Sequence, residues 1–393
     1  MLNRGLSLYA IEMQSLMVYN LTMRIGIYGG AFDPIHKEHK KIIHECKNKL
    51  KLDRLILLLS HNPPHKNYQI SPFEIRAQML KAETCDLDYV IVDEREYLRS
   101  ASKNRSFEVL SELKNEYTAH DLIYIIGGDS MIKFHTWARP EIIARLMPIA
   151  VIPREGYEGL QEAVENARKV YGARIKTLSF KGGQVSSSVI KATYEFGDRS
   201  GDVSDKVHDI IIRNNLYKQF GFYIDKLKAN ISQELFEHCK STALYALRFA
   251  DKLDLSYDEV FLAALLHDCA KEKTAAAEYA ERYPEKIIHQ FEGAVVAQKE
   301  YGIDNPKILN AIKYHTTGKM NMSKLEKLIF SADMLEKNRD FEGVERLREI
   351  MEEDFEKGFL ACVDTSIKRL EDTGRAIYYL TKECRDFYKN PQK

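Results

Sequence analysis

Two groups of residues in this 393-residue chain have types and spacings suited to chemistry. In the first, the run Arg24 to Tyr28 leads into Gly29-Gly30-Ala31-Phe32-Asp33-Pro34-Ile35-His36-Lys37-Glu38-His39. Two glycines where a chain leaves a sheet let backbone N–H groups approach a ligand closely, and a helix starting near His36 offers its positive end to an anion. His36 and His39 share one helix face and can donate to polyphosphate oxygens as charge develops in displacement at phosphorus. A tight turn with two solvated histidines is the plainer alternative. Further on, Lys181-Gly182-Gly183-Gln184-Val185-Ser186-Ser187-Ser188-Val189-Ile190-Lys191 sets consecutive hydroxyls at a helix start with Lys191 one turn on. That arrangement is an anion site or simply a capped helix.

In the second group His238, His267-Asp268, His289, His315 and Asp333 each fall in a helical segment or at its end, with apolar neighbours such as Ala263-Ala264-Leu265-Leu266. Burying so many titratable groups is costly unless something pairs them, and a metal ion does so directly. Imidazole with carboxylate suits iron, manganese, zinc or nickel. One His beside an Asp is ordinarily a satisfied polar pair; six spaced residues point to a metal.

The elements that must position these residues follow from periodicity. From Arg24 to about Tyr217, short β-branched or Leu-rich runs at 24–28, 54–59, 89–92, 122–127, 148–152 and 174–178 alternate with amphipathic segments such as 71–81 and 157–171. This predicts an α/β domain with a doubly wound parallel sheet, where ligands bind beyond the carboxyl ends of the strands. After Phe220 the β-rich runs stop and helical stretches succeed one another, predicting an all-α domain. The expected division is an N-terminal extension at 1–22, an α/β domain at 23–219 and a helical domain at 220–393, with little slack at Tyr217 to Tyr223 because that stretch holds one glycine, Gly221, and no Pro or Ser. The first 22 residues lack a clear apolar signal core, and Met23 directly precedes the first strand, so a misassigned start or a frayed extension is expected there rather than a signal peptide.

Lys+Arg and Asp+Glu both number 58, so no global field attracts polymeric nucleic acid, and phosphate binding must come from local sites. No run approaches the roughly 18 apolar residues of a membrane helix. Six cysteines without a C-x-x-C pair suit free thiols in a reducing cytosol. The expectation is a cytoplasmic protein with small-molecule substrates, no nucleic-acid or membrane partner, and a homo-oligomeric state left open.

The first group resembles the nucleotidyltransferases with HxGH and SSTxIR signatures, specifically the nicotinate-nucleotide adenylyltransferases, and the likeness extends to Pro63-Pro64-His65-Lys66, Arg76, Gly127-Gly128-Asp129-Ser130 with Trp137, and Pro153-Arg154. It implies a Rossmann-like fold and attack of a mononucleotide phosphate on the α-phosphorus of ATP with Mg²⁺, without a covalent protein intermediate. Carried over, His36, His39 and Lys66 are the catalytic residues. Gly29, Gly30, Phe32, Asp129, Trp137, Arg154, Ser187, Ser188 and Lys191 contact the nucleotides. Trp137, the one tryptophan, is expected on the pyridine ring, with a core aromatic as the alternative. Three positions depart from the pattern: Glu38 replaces the glycine between the histidines, Lys191 replaces an arginine, and Arg105-Ser106 stands where Tyr-Thr is usual.

The second group resembles the HD phosphohydrolases, in particular those that cleave diadenosine tetraphosphate symmetrically to ADP. The likeness is carried by Glu237-His238, Leu265 to Lys271, His289 with Gly293-Ala294, His315-Thr316-Thr317-Gly318, and Ala332 to Glu336 with Arg339. It implies a two-metal centre, two divalent or mixed-valent ions, often iron. His238, His267, Asp268, His289, His315 and Asp333 would be its ligands, Asp268 the bridge and a catalytic residue with Lys271, and Lys271 and Arg339 would meet substrate phosphates. Gln290-Phe291-Glu292 intervene where the family reads His-Gly. The expected function is a bifunctional enzyme making nicotinate adenine dinucleotide and hydrolysing a dinucleoside polyphosphate. The alternatives are an adenylyltransferase for another phosphorylated acceptor with an HD nucleotide phosphatase, or an HD domain that only binds metal and regulates.

Overall fold

The computed structural model describes residues 22–61, 70–99, 105–153, 159–183, 185–274 and 276–389. The N-terminal part runs β1 (Arg24–Gly30), α1 (Lys37–Leu50), β2 (Arg54–Leu59), α2 (Phe73–Thr84), β3 (Val90–Asp93), α3 (Ser106–Glu116), β4 (Asp121–Gly127), α4 (Gly128–Ile132), α5 (Pro140–Leu146), β5 (Ile149–Ile152), α6 (Leu160–Tyr171), β6 (Ile175–Thr177), α7 (Ser187–Glu195) and α8 (Asp205–Arg213). All six strands are parallel, in the order β3-β2-β1-β4-β5-β6, so the winding reverses between β1 and β4. The glycines ending β1 and β4 therefore flank the crevice where such sheets receive ligands.

The strands are apolar on both faces because helices cover both. In β2, Leu55, Leu57 and Leu59 enter the core beneath α1, α2 and α8, while Ile56 and Leu58 enter the core beneath α3, α5 and α6. The strand bounds fall within two residues of those expected from sequence. The expected helix at 71–81 starts instead at Phe73, because Pro72 occupies the cap position, and runs to Thr84.

The C-terminal part is helical: α9 (Gly221–Asn230), α10 (Gln233–Leu253), α11 (Tyr257–Leu266), α12 (Ala277–Arg282), α13 (Glu285–Tyr301), α14 (Pro306–Lys313), α15 (Lys324–Leu335), α16 (Val344–Glu353), α17 (Phe355–Asp372) and α18 (Tyr379–Lys389). α11 is buried from Val260 to Leu266 and apolar all round, which marks it as the central helix of the bundle. Ser232 caps α10 by accepting from the Leu235 N–H, and Ser323 and Glu326 form a reciprocal capping box at α15. Among the described residues no helix is long and apolar enough to cross a membrane.

The two parts meet without a free linker. Helix α7, whose first turn carries Ser187 and Ser188, packs on α10, and Ala192 and Phe196 belong to the core of the helical part. Phe196 stacks on Phe261 at a 5.4 Å centroid distance and meets Phe236 edge-on, while Phe220 stacks on Phe261 at 4.5 Å. The buried carboxylate of Glu195 accepts from the Gln219 and Phe220 N–H groups, both at 3.0 Å, and burial raises its pKa. Lys240–Asp198 at 2.6 Å and Lys133–Asp254 at 2.9 Å add ion pairs across the boundary.

Candidate active sites

At the end of β1 the chain turns sharply. Phe32 takes a left-handed backbone conformation, φ 46°, and its ring stands 3.1 Å from where a Cβ on Gly30 would sit. Glycine at position 30 thus spares Phe32 a tight contact, whereas a Cβ on Gly29 would meet nothing nearer than 3.8 Å, leaving that backbone accessible. His36 is the N-cap of α1 and His39 its third residue. Their rings stack at 3.8 Å, and Phe32 closes edge-on against His39 at 5.1 Å. The expected shared face of the two histidines is present.

Ser186 caps α7, its hydroxyl accepting from the Ser188 N–H at 3.2 Å. Ser187 stays half-exposed in the first turn, and the buried Ser188 hydroxyl has no hydrogen-bond partner among the described residues. An unmatched buried hydroxyl costs about 1–3 kcal/mol unless a ligand or water satisfies it. Asp129 is the second residue of α4, immediately after Gly127 and Gly128. Trp137 is half-buried against Tyr124 and Phe134 at the edge of the core, its indole N–H also without a partner. Lys66 and Arg154 lie outside the described residues.

The departures from the family pattern acquire physical explanations. The Glu38 carboxylate turns to the loop preceding α7 and accepts from the Gly183 N–H at 2.6 Å. A Cβ at position 183 would stand 2.5 Å from Glu38 Oε2. The acid thus ties the two phosphate-type motifs together. Lys191 is buried and bound to Asp33 Oδ2 at 2.5 Å, in the β1 loop, rather than simply facing an open anion site. Burial opposes ionisation of Asp33. The Lys191 charge, with hydrogen bonds from Lys191, Ser71 and Tyr217, nevertheless holds its carboxyl below the ordinary value.

In the helical part the six expected ligands come together from five elements and their ends. His238 sits on α10, His267-Asp268 at the end of α11, His289 on α13, His315 just past α14 and Asp333 on α15. The fully buried Asp268 carboxylate divides them. Its Oδ2 lies 3.4 Å from His267 Nε2 and 3.7 Å from His238 Nε2; its Oδ1 lies 3.3 Å from His315 Nε2 and 3.5 Å from His289 Nε2. Within each pair the Nε2 atoms face each other, at 3.2 Å for His238–His267 and 3.3 Å for His289–His315. Two imidazoles bound to one metal at about 2.0–2.1 Å, with about 90–110° between them, would hold their nitrogens about 2.9–3.4 Å apart.

The distal nitrogens agree with this. His267 Nδ1 donates to the Ala264 carbonyl at 2.7 Å and His315 Nδ1 to the Ile312 carbonyl at 2.8 Å, which leaves each Nε2 with its lone pair directed inward. Burial lowers the pKa of His267, and burial with the His315 charge lowers that of His289 to about 3, so both favour the neutral, ligating form. His238 differs: burial disfavours its charge, yet Asp333 and Glu336 raise it to about 9, so cation binding there displaces a proton. Asp333 Oδ1 is 2.9 Å from His238 Nε2, which gives the first subsite two carboxylates and the second one. The donors fit a pair of divalent ions. Lys271 Nζ and Arg339 Nη2 border the cluster, at 2.6 Å from Asp268 Oδ2 and Asp333 Oδ1 respectively.

Three residues to which sequence reasoning assigned no role organise these sites. Arg76, 1 % exposed, donates to the carbonyls of Ala31, Ser60, His61 and Ser71, clamping the loops after β1 and β2. Gln290, fully buried beside His289, accepts from the Thr316 and Thr317 N–H groups at 3.1 Å and donates to Thr317 Oγ1 at 3.0 Å. It is one of the residues that interrupt the family's His-Gly pattern. Glu336 contacts His238 Nδ1 at 3.3 Å. Arg76 and Gln290 are polar residues among apolar neighbours within helices, a signal that marks burial without revealing the partner, and Glu336 caps the end of α15.

A nucleotide-type crevice in a doubly wound sheet, followed by a helical His/Asp centre, defines a nucleotidyltransferase domain joined to an HD domain. Residues 27–193 match the cytidylyltransferase-like family model and residues 235–338 match the HD domain model. A Clostridium acetobutylicum protein named "Probable nicotinate-nucleotide adenylyltransferase" is 33% identical over 196 residues, which are 49% of this chain and 98% of that protein. The chain belongs to the nicotinate-nucleotide adenylyltransferase family, and it carries an HD domain in addition. A Mycoplasma genitalium protein named "Probable nicotinate-nucleotide adenylyltransferase/Ap4A hydrolase" is similar through both parts, 25% identical over 331 residues, 81% of this chain and 89% of its own length. A solved structure described as a "predicted HD superfamily hydrolase involved in NAD metabolism", from Clostridium acetobutylicum, is 32% identical over 44% of this chain and 98% of its own, with a TM-score of 0.41.

Proposed function

We propose that the chain is a bifunctional enzyme of the cytoplasm, which adenylylates nicotinate mononucleotide from ATP at residues 23–219 and hydrolyses diadenosine tetraphosphate to ADP at residues 220–393. The observation that carries the hydrolase half is Asp268, whose two oxygens each face one pair of histidine Nε2 atoms. Family membership and the stacked His36 and His39 beside the Gly29-Gly30 turn carry the transferase half.

In the transferase, the mononucleotide phosphate attacks the α-phosphorus of ATP and pyrophosphate leaves, with no covalent bond to the protein. His36, His39, Lys66, Ser187 and Ser188 hold phosphate oxygens, with Lys191 fixed beside them by Asp33. Gly29, Gly30 and Phe32 shape the turn, while Asp129, Trp137 and Arg154 meet the nucleotides. Mg²⁺ bound with ATP supplies charge neutralisation.

In the hydrolase, His238, His267 and Asp333 would hold one metal and His289 and His315 the other, with Asp268 contributing to both. The chemistry that divalent ions would supply there, iron being our choice over manganese, zinc or nickel, is a lowered pKa of water and neutralised phosphate charge. Lys271 and Arg339 release their carboxylates to meet the substrate phosphates. The substrates are small molecules, and neither nucleic acid nor a membrane is a partner.

Metal-loaded protein given diadenosine tetraphosphate should yield ADP alone, and Asp268→Ala should yield none while still releasing pyrophosphate from ATP and nicotinate mononucleotide. Metal binding without cleavage would overturn the hydrolase assignment in favour of a regulatory domain. Pyrophosphate release with other acceptors but not with nicotinate mononucleotide would overturn the transferase assignment.

A further inference from the structure

The amino ends of the strands, on the edge of the sheet opposite the glycine turns, open onto a cleft of about 640 Å³. Arg24 starts β1, Lys49 and Lys51 end α1, Lys114 lies in the last turn of α3, and Arg174 and Lys176 stand at the start of β6. These six cations line the cleft with a single carboxylate, Asp121, above an apolar floor that includes the buried Leu50, Leu122 and Met147. The whole chain balances 58 basic against 58 acidic residues, so the excess is local. Among the described residues, Lys49, Lys51, Lys114, Arg174 and Lys176 have no ion-pair partner.

Part of this charge has an ordinary cause. Lys49, Lys51 and Lys114 sit at helix carboxyl ends, where the dipole presents about half a negative charge per helix. With α5, whose last residue Leu146 also lines the cleft, three helix ends offset about one and a half positive charges. Arg24, Arg174 and Lys176 stand at strand ends, where the dipole is small. After Asp121 and the helix ends are counted, an excess of about three to four positive charges remains. Like charges gathered on one wall destabilise the folded chain unless an anion joins them.

We propose that this cleft binds a small organic polyanion of the nucleoside polyphosphate class, with its base and sugar over the apolar floor and its phosphate chain along the basic wall. Its size is that of a small-molecule pocket, about 300–1,000 Å³, and a triphosphate carries a charge of about −4, close to the excess. Residues 24 to 30 of β1 separate it from the Gly30 turn by about 20 Å, so it is distinct from the transferase crevice. The proposal holds whether or not either catalytic assignment is correct.

The test is equilibrium binding of an ATP analogue with an imido bridge between its β- and γ-phosphates to the full chain in chelator. Two classes of site are expected, one weakening at least about tenfold as salt rises from about 0.05 to about 0.5 M. In Lys49→Glu/Arg174→Glu/Lys176→Glu that class should weaken by about tenfold or more, while KM for ATP in adenylyl transfer stays within about twofold. Arg174→Gln/Lys176→Gln, which adds no repulsion, should show a smaller loss with a melting temperature no lower than that of wild type. Identical binding by wild type and both variants overturns the proposal. So does single-stranded DNA displacing the analogue at lower concentration, which would make the cleft a nucleic-acid surface.

Discussion

Replacing Gln290 by methionine keeps the length of the side chain and removes both of its hydrogen-bonding functions. Gln290 is fully buried and Thr317 is 1 % exposed, so water cannot take over the contacts. Two backbone N–H groups, of Thr316 and Thr317, lose their shared acceptor at 3.1 Å, and Thr317 Oγ1 loses a donor at 3.0 Å. Each stranded buried donor costs about 1–3 kcal/mol; since Thr316 is only partly buried and methionine regains some apolar burial, a net loss of about 2–4 kcal/mol is expected. The strain falls on one side of the centre, because Thr316 Oγ1 touches His289 Nε2 at 3.2 Å and the turn follows His315 directly. Removing such an outer support lowers metal affinity by about 10–100-fold. Gln290→Met should therefore hold one metal per chain where wild type holds two, in dialysis against graded chelators, and should melt earlier. Gln290→Glu, which keeps the acceptor but not the donor, should fall between. Two metals held with wild-type affinity, or both lost together, would refute the assignment of Gln290 to the His289–His315 subsite.

Phe196→Ala should cost about 3–5 kcal/mol by emptying the space between Phe236 and Phe261. Calorimetry should then resolve two unfolding transitions where wild type shows one. Gly183→Ala forces a Cβ to 2.5 Å from Glu38 Oε2 and should raise KM for ATP, and the double variant with Glu38→Gly should recover most of the loss; no recovery would show that the two motifs are not coupled through this contact. Asp33 has a folded-state pKa below its ordinary 3.8, so the stability it contributes is complete above that value and disappears as pH falls through the range below it. Acid titration of unfolding should accordingly show Asp33→Asn less stable than wild type near neutral pH, with the gap closing at low pH.

Much of the fold was legible in the chain because periodicity is a local property. The runs at 24–28, 54–59 and 122–127 are apolar because a parallel sheet is buried on both faces, and that cause acts on each strand separately. The residue types of the first site were legible for a similar reason, since Gly29-Gly30, His36 with His39, and the Ser186–Ser188 triplet are each local in the chain. The partners of Glu38, Lys191 and Gln290 could not be read this way. Glu38 reaches Gly183, 145 residues away, and Gln290 reaches Thr317, 27 residues away. Each choice depends on how a loop and a helix pack.

What the sequence alone determined, then, is the division into an α/β and a helical part, the order of the strands and helices, and the inventory of groups able to bind phosphate or metal. Only the tertiary structure decided how those groups pair. It put His238 with His267 on one oxygen of Asp268 and His289 with His315 on the other, although these residues lie on helices with unrelated positions in the chain. It also embedded the far end of the Ser187 helix, through Ala192 and Phe196, in the core of the neighbouring domain. Hydrogen bonds between near neighbours dictate where a helix forms. Side-chain volume and shape dictate which helices touch, and those contacts exist only once the whole chain has packed.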